Sequence, residues 1–519
     1  MTLIAVYGPP GTGKTEYALK ILAEASEEGR PFIYETYRRW MALDARARFI
    51  DFLDDSAEGI KLAQRSIVTT HALCKRLLGI SILSGKKLVS ELKKIMRSCN
   101  IYVTEEVSKE LLTIVSSDSV PDISELKTLP AKIYTAYSYY VDMFFDRELL
   151  EDRIPLHLFK IKPEKLYDFT ERWIEHLDSI GMADFPYLLV RGLNAEPPEV
   201  ELYIADEFHD KTKLKFELFK RHSSKAKRRF ILFDPHQSIY GYAGASPEYS
   251  LKLWEEATKR VRLTPSFRLS EEQRNFAARK LGKPLDFECA GSTKIKKVPR
   301  FSWSDELLTD DTLVIARTRS LLKDFIESSL LGKPIVWNGF RGWASRKDFV
   351  DTLLRCRTKE KLSYDEFQLL FKYLKASAFN GKKAQLKRRM AEAHKMGRLF
   401  FNVESFLSRE FLRALHKGKI DDFLDQRLMG GIYSKNLEYI LRSNGYRFVH
   451  LRTIHGAKGA TFANVVVLRG ITSKIHRAIQ YNDFQRGEER RVWYVAVTRA
   501  SQNLYYCDYP FTVHVFSEP

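Results

Sequence analysis

Short, continuously apolar runs alternate along the chain with longer stretches of helical periodicity. Residues 3–7 are apolar and partly β-branched, which predicts a buried parallel strand. Tyr17, Ala18, Ile21 and Leu22 then recur at helical spacing. Further apolar runs lead into Asp206 (Leu202 to Ala205) and into Asp234, and another opens "TLVIARTRSLL". The run after Arg490 and Arg491 predicts one more strand, ending just before Arg499. "KKLVSELKKIM" and "PEKLYDFTERWIEHL" are helical, in a segment from about 76 to 195 that closes on the proline-containing "NAEPPEVE". A second long segment, about 341–445, contains the strongly basic "KKAQLKRRMAEAHKMGR". Its ordinary alternatives are a solvated helix face and a surface for phosphates.

The first strand runs into Gly8-Pro9-Pro10-Gly11-Thr12-Gly13-Lys14-Thr15, and a helix follows. This is a GxxxxGK[ST] loop in its required strand–loop–helix setting. Glycines let backbone N–H groups turn inward around phosphate oxygens, and the helix N-terminus adds a favourable dipole. Lys14 would serve the β- and γ-phosphates and Thr15 a magnesium ion. Asp206 and Glu207, at the end of their strand, supply the acidic partners. Asp206 is suited to hold Mg2+ and Glu207 to activate the attacking water. ATP and Mg2+ are the expected cofactors.

Composition narrows the partners. Lys and Arg outnumber Asp and Glu by 85 to 66, a formal charge of +19, which suggests a polyanion. The five cysteines are scattered and odd in number, arguing against zinc, an iron–sulfur cluster or a disulfide scaffold. No signal-peptide pattern precedes the first strand and no apolar run approaches membrane-spanning length. A soluble, cytoplasmic protein with no membrane partner is expected.

"FDPHQSIYGYAGA" (233–245) resembles the GDxxQSIYxFRGA pattern of the UvrD/Rep family of superfamily 1 helicases. The family's other motifs follow in order. "SIVTTHALCKRLL" resembles its TFHSL segment, "DEFHD" its DEFQD and "LTPSFRLS" its LxxNYRS. "TLVIARTRSLL" is similar to its YRTN-containing strand, "LRTIHGAKGATF" to MTIHxAKGLEF and "EERRVWYVAVTRA" to EERRLxYVAxTRA. "ETYRRWMALDARARF" matches TFTNKAAxEMRER loosely, marking Thr36, Tyr37 and Arg46 as weaker candidates.

The resemblance implies an α/β fold of two RecA-like P-loop domains with parallel sheets, each carrying a mainly helical insertion. The expected pieces are 1–75 with 196–265, an insertion at 76–195, 266–340 with 446–519, and a reduced insertion at 341–445. It implies ATP-driven, 3′-to-5′ movement on single-stranded DNA with duplex unwinding. Lys14, Asp206, Glu207, Gln237, Arg268 and Arg499 are the implied catalytic set, with both arginines acting on the γ-phosphate and Phe267 stacking on the base. Thr70, His71, Tyr240, Tyr242, Arg317, Arg319 and His455 are the implied DNA contacts. The expected partners are single-stranded DNA and single-strand/duplex junctions, engaged by a monomer. RNA stays open, because none of these residues recognises a 2′-OH.

The chain also departs from the pattern. Only seven residues precede Gly8, so the family's adenine-reading Gln motif is absent from it, and Glu16 stands where Arg is usual. Looser nucleotide selectivity is therefore expected. Ala243 replaces the FRGA arginine, Thr461 the GLEF glutamate and His209 the DEFQD glutamine. These changes keep two alternatives in play: a translocase that remodels without processive unwinding, and a DNA-dependent ATPase clamp.

Overall fold

The computed structural model describes residues 1–53, 57–115, 123, 126–298, 309–338, 347–425, 431–443 and 445–508. The expected start of the second insertion, at 341, lies outside these residues. The chain forms two compact units. The first comprises Met1–Glu271, Leu281–Gly291 and Gly487–Tyr494, and the second Glu272–Lys280, Ser292–Arg486 and Val495–Pro519.

The first unit is built on a six-stranded sheet. Its strands are β1 (Thr2–Tyr7), β2 (Phe32–Thr36), β3 (Ile67–Thr69), β4 (Leu202–Ala205), β5 (Arg228–Phe233) and β6 (Lys259–Arg262), in the order β3-β2-β4-β5-β1-β6. Every pairing is parallel. Helices cover both faces, so strand interiors are buried on both sides and read as continuous apolar runs. Parallel pairing also brings the C-terminal ends of β1, β4 and β5 to one edge of the sheet. Gly8, Asp206 and Asp234 follow directly there, which is how residues about 200 apart in sequence become neighbours.

The helical segment of this unit packs around Leu129–Asp142, a helix buried on every side from Pro130 onward. Such a helix belongs at the centre of a bundle. Its Tyr134 and Tyr137 hydroxyls donate to the fully buried Asp184 carboxylate at 3.2 and 3.1 Å, and the Trp173 indole donates at 2.9 Å. Burial still pushes the Asp184 carboxyl up, against those hydrogen bonds.

The second unit repeats the architecture. Its strands are β7 (Lys294–Val298), β8 (Thr312–Ala316), β9 (Ile335–Asn338), β12 (Arg447–Thr453), β13 (Phe462–Arg469) and β14 (Ala500–Asp508), in the order β7-β14-β13-β8-β12-β9. All of these pair in parallel. A helical cluster between β9 and β12 has its own apolar core, around Phe349, Phe367, Leu370 and Phe411. It includes a two-stranded antiparallel ribbon, β10 (Leu362–Ser363) with β11 (Phe400–Phe401).

One sequence expectation is corrected. The run after Arg490-Arg491 is not a strand but the end of a helix, Asp483–Val497. Asn482 caps it by accepting from the Gln485 N–H at 3.0 Å. Val492 to Val497 are all buried, and a helix buried all round gives the same unbroken apolar run as a buried strand. The strand comes next: Arg499 follows the helix and leads directly into β14.

Candidate active site

The turn after β1 is shaped by Gly11 and Gly13, at φ 78° and 79°, a left-handed conformation that glycine adopts without strain. Gly11 also needs its missing side chain. A Cβ there would lie 2.4 Å from Arg268 Cβ and 3.0 Å from the Arg268 backbone nitrogen. The Ser266–Arg268 segment thus packs directly on the phosphate loop. Ser266 Oγ donates to the Pro10 carbonyl at 2.6 Å and the Phe267 N–H to the Gly11 carbonyl at 3.0 Å. The Phe267 ring stays open to solvent at 70% exposure, free to stack. All these residues lie in the first unit.

Lys14 folds back onto the loop, donating from Nζ to the Gly8 carbonyl at 2.6 Å. Thr12 Oγ1 donates to the Pro9 carbonyl. Thr15, in the first turn of its helix, donates from Oγ1 to Asp206 Oδ2 at 2.9 Å. The Tyr34 hydroxyl reaches the same oxygen at 2.5 Å, and the Glu207 N–H donates to Asp206 Oδ1 at 2.8 Å. Burial and then the neighbouring Glu207 charge push the Asp206 carboxyl up. A hydroxyl and a carboxylate meeting beside a phosphate loop form the hard-oxygen pair that suits Mg2+, so these residues fit the expected ion. Glu16 forms an ion pair with Arg48 at 2.8 Å.

Asp234 organises the next turn. Its Oδ1 accepts from the His236 N–H at 3.0 Å, and its Oδ2 from Gln237 Nε2 at 2.9 Å and the Tyr494 hydroxyl at 3.3 Å. Downstream, Glu488 Oε1 accepts from the Gly241 N–H at 2.7 Å, and Arg491 Nε donates to the Ser238 carbonyl at 2.6 Å. Sequence reading missed Glu488 and Arg491 as organisers of this turn, although both stand in the EERR stretch of the last motif.

Four candidate DNA contacts converge. Thr70, His71, Tyr240 and Tyr242 line one cavity of about 140 Å³, with Tyr37 and Arg38. Tyr37 and Tyr240 stack with ring centroids 5.3 Å apart, and the Arg38 guanidinium lies 4.7 Å from the Tyr240 ring centre. Tyr240 is buried, only 2% exposed. Burial, then the Lys215 and Lys211 charges, push His71 down to about 3, so its ring is neutral at physiological pH. Arg38 and Lys215 were not singled out from the sequence. A cation over a tyrosine ring is visible only in three dimensions.

Of the weaker candidates in the first unit, Thr36 is buried at the end of β2 and Arg46 Nε donates to the Ile67 carbonyl at 2.9 Å, and the other candidates belong to the second unit. Arg317 is half-buried, and Arg319 is exposed at the start of a helix capped by Thr318. His455 is half-buried in the short helix Ile454–Ala457. Arg499 is only 1% exposed. Its Nε donates to the Val495 carbonyl at 3.0 Å, its Nη2 to Thr498 Oγ1 at 3.1 Å and its Nη1 to the Ala460 carbonyl at 3.5 Å.

Comparison with known families gives two matches. The UvrD/REP helicase N-terminal domain matches residues 2–258, and the UvrD-like helicase C-terminal domain matches residues 144–508. The chain belongs to the UvrD/Rep helicase family. No curated protein matches it. As a family member it is an ATP-hydrolysing DNA helicase with two RecA-like sheets. None of the described helices is long and apolar enough to cross a membrane.

Proposed function

We propose that this helicase moves 3′ to 5′ along single-stranded DNA and separates duplex as it goes, acting as a monomer at single-strand/duplex junctions. The observation that carries the reading is the convergence of Lys14, Thr15, Asp206 and Glu207 on one loop, with Arg268 packed against it. Lys14 leaves the Gly8 carbonyl to bind the β- and γ-phosphates. Thr15 and Asp206 would hold Mg2+, which would supply positive charge against the phosphates. Glu207 takes the proton from the attacking water, and Gln237 responds to the γ-phosphate. Arg268 and Arg499 act as fingers on the transferring phosphoryl group. Phe267 stacks on the nucleotide base without a hydrogen-bond code, giving loose base selectivity.

Bases of the strand stack on aromatic rings without regard to sequence, at about 1–3 kcal/mol per base. Tyr242 supplies such a ring, with the buried Tyr240 packed behind it, Thr70 and His71 the neighbouring polar groups, and Arg317, Arg319 and His455 further contacts. Cycles of ATP binding and hydrolysis alternate the grip and give net movement. The test is ATP-driven displacement of streptavidin from biotin at either end of an oligonucleotide. Release from the 5′ end alone supports the direction, and release from the 3′ end alone reverses it. Release from neither, with DNA-stimulated ATPase intact, favours the clamp.

A further inference from the structure

His209 stands where the family pattern carries glutamine, and its surroundings give it a defined task. The ring is fully buried. Its Nδ1 accepts the Asp234 N–H at 3.0 Å, so in the neutral ring the proton sits on Nε2. Nε2 lies 3.3 Å from Glu207 Oε2, within polar reach of it but not aligned as a hydrogen bond, with Asp210 Oδ1 farther off at 3.9 Å. Glu207 itself sits at φ 52°, a left-handed conformation disfavoured for a side-chain-bearing residue. A residue in that conformation persists where its surroundings hold it.

One imidazole therefore stands between two parts of the site, hydrogen-bonded to one and within 3.3 Å of the other. On one side is the Glu207 carboxylate. On the other is the backbone of Asp234, whose own carboxylate holds Gln237 Nε2 and caps the His236 N–H. A glutamine amide offers the same pair of functions, an oxygen to accept from Asp234 and an N–H to donate to Glu207. Alanine offers neither. Asparagine has the right groups on a chain too short to serve both ends at once.

We propose that His209 is a positioning residue for ATP hydrolysis: it fixes the Glu207 carboxylate in one orientation and keeps it in register with the turn that carries Gln237. The proposal rests on the reading of Glu207 as the group that activates water. It predicts a defect in turnover rather than in nucleotide binding, because His209 acts through Glu207 and the loop that binds phosphate is left intact.

The experiment measures ATP hydrolysis stimulated by single-stranded DNA, alongside affinity for a fluorescent ATP analogue, in the full chain. His209→Ala should lower kcat about 10–100-fold, the usual scale for losing a group that orients a catalytic ligand. Nucleotide affinity should stay within about threefold, the signature of a turnover-only defect. His209→Gln should keep kcat within about threefold of the parent, since its donor and acceptor match. In the residual activity of Glu207→Gln, adding His209→Ala should cost no more than about twofold further, because both changes remove one unit. Should His209→Ala fail to fold, His209→Asn carries the same test: it can satisfy the Asp234 N–H and still lose turnover. Parental kcat in His209→Ala or His209→Asn overturns the proposal. So does a His209→Gln variant as slow as His209→Ala, or a full further loss in the Glu207→Gln background. A parent chain without DNA-stimulated hydrolysis overturns the site reading beneath it, and shows this before any variant is made.

Discussion

Lys211→Met should destabilise the first unit severely, and in a way that depends on pH. Lys211 follows directly on the Asp206–Asp210 segment, and its ammonium binds Glu35 near the end of β2. Glu35 is 1% exposed and Lys211 2%. The Thr70 hydroxyl also donates to Glu35, as does the Tyr203 hydroxyl at 2.7 Å. Burial alone would push the Glu35 carboxyl up. The Lys211 charge and the three hydrogen bonds outweigh that and hold it below the ordinary glutamate range. A carboxylate with a lowered folded pKa contributes stability above its unfolded pKa and loses it as pH falls through the folded one. Methionine keeps the length of Lys211 but removes the charge, leaving a buried carboxylate with two neutral donors. Breaking a buried pair from one side costs about 3–5 kcal/mol. Burial, the largest influence on Glu35, then outweighs the two remaining hydrogen bonds, so its folded pKa rises above the unfolded value and the sign of the linkage inverts. The penalty should be largest near pH 8 and shrink toward about pH 4, where the variant's carboxyl is protonated in the folded state and mostly so in the unfolded one. Urea unfolding of the full chain, followed by circular dichroism across that range, reads both effects. Glu35→Gln added to Lys211→Met should recover all but about 1–2 kcal/mol, because the amide oxygen accepts from one of the two hydroxyls and the amide NH2 donates to the other. A loss below about 1 kcal/mol at pH 8, or one that does not shrink in acid, would refute the reasoning.

Three further outcomes are expected. Tyr34→Phe removes the hydroxyl donor to Asp206 Oδ2, so the Mg2+ concentration for half-maximal ATPase should rise about 10–100-fold, read by Mg2+ titration at saturating ATP. Arg268→Ala should cut DNA-stimulated kcat about a thousandfold, measured by steady-state ATPase, while an ATP analogue still binds. Lys387, Arg388 and Arg389 are exposed on the helix Lys383–Lys395 and pair with no carboxylate among the described residues. Reversing all three to Glu should make the log-affinity against log-salt slope for duplex DNA shallower by about one to three units, and leave ATPase stimulation by single strands unchanged.

Much of this site is legible in the amino-acid sequence. The phosphate loop announces itself because its glycines, Lys14 and Thr15 are local along the chain, and β4 delivers Asp206 by a short buried run. The family motifs imply the rest of the set, including Phe267 and Arg268, which the fold packs on the loop. What the sequence hides is what depends on burial. The helix Asp483–Val497 looks like a strand because its last six residues have no polar face to reveal a period. The Tyr37–Tyr240 stack, the Arg38 cation above it and the Glu35–Lys211 pair each join residues from distant segments. Nothing in a charged residue's neighbours along the chain says that it will be buried against a partner about 175 positions away. His209 reads in sequence only as a departure from a pattern, and its contacts show the functions that glutamine and histidine share.

The most direct test of the account is strand displacement on matched 3′-tailed and 5′-tailed DNA duplexes with ATP and Mg2+, with Lys14→Ala as the blank. The account predicts displacement from the 3′-tailed substrate alone, abolished in the blank. Displacement from the 5′-tailed substrate alone, or from neither while DNA-stimulated hydrolysis persists, would contradict it.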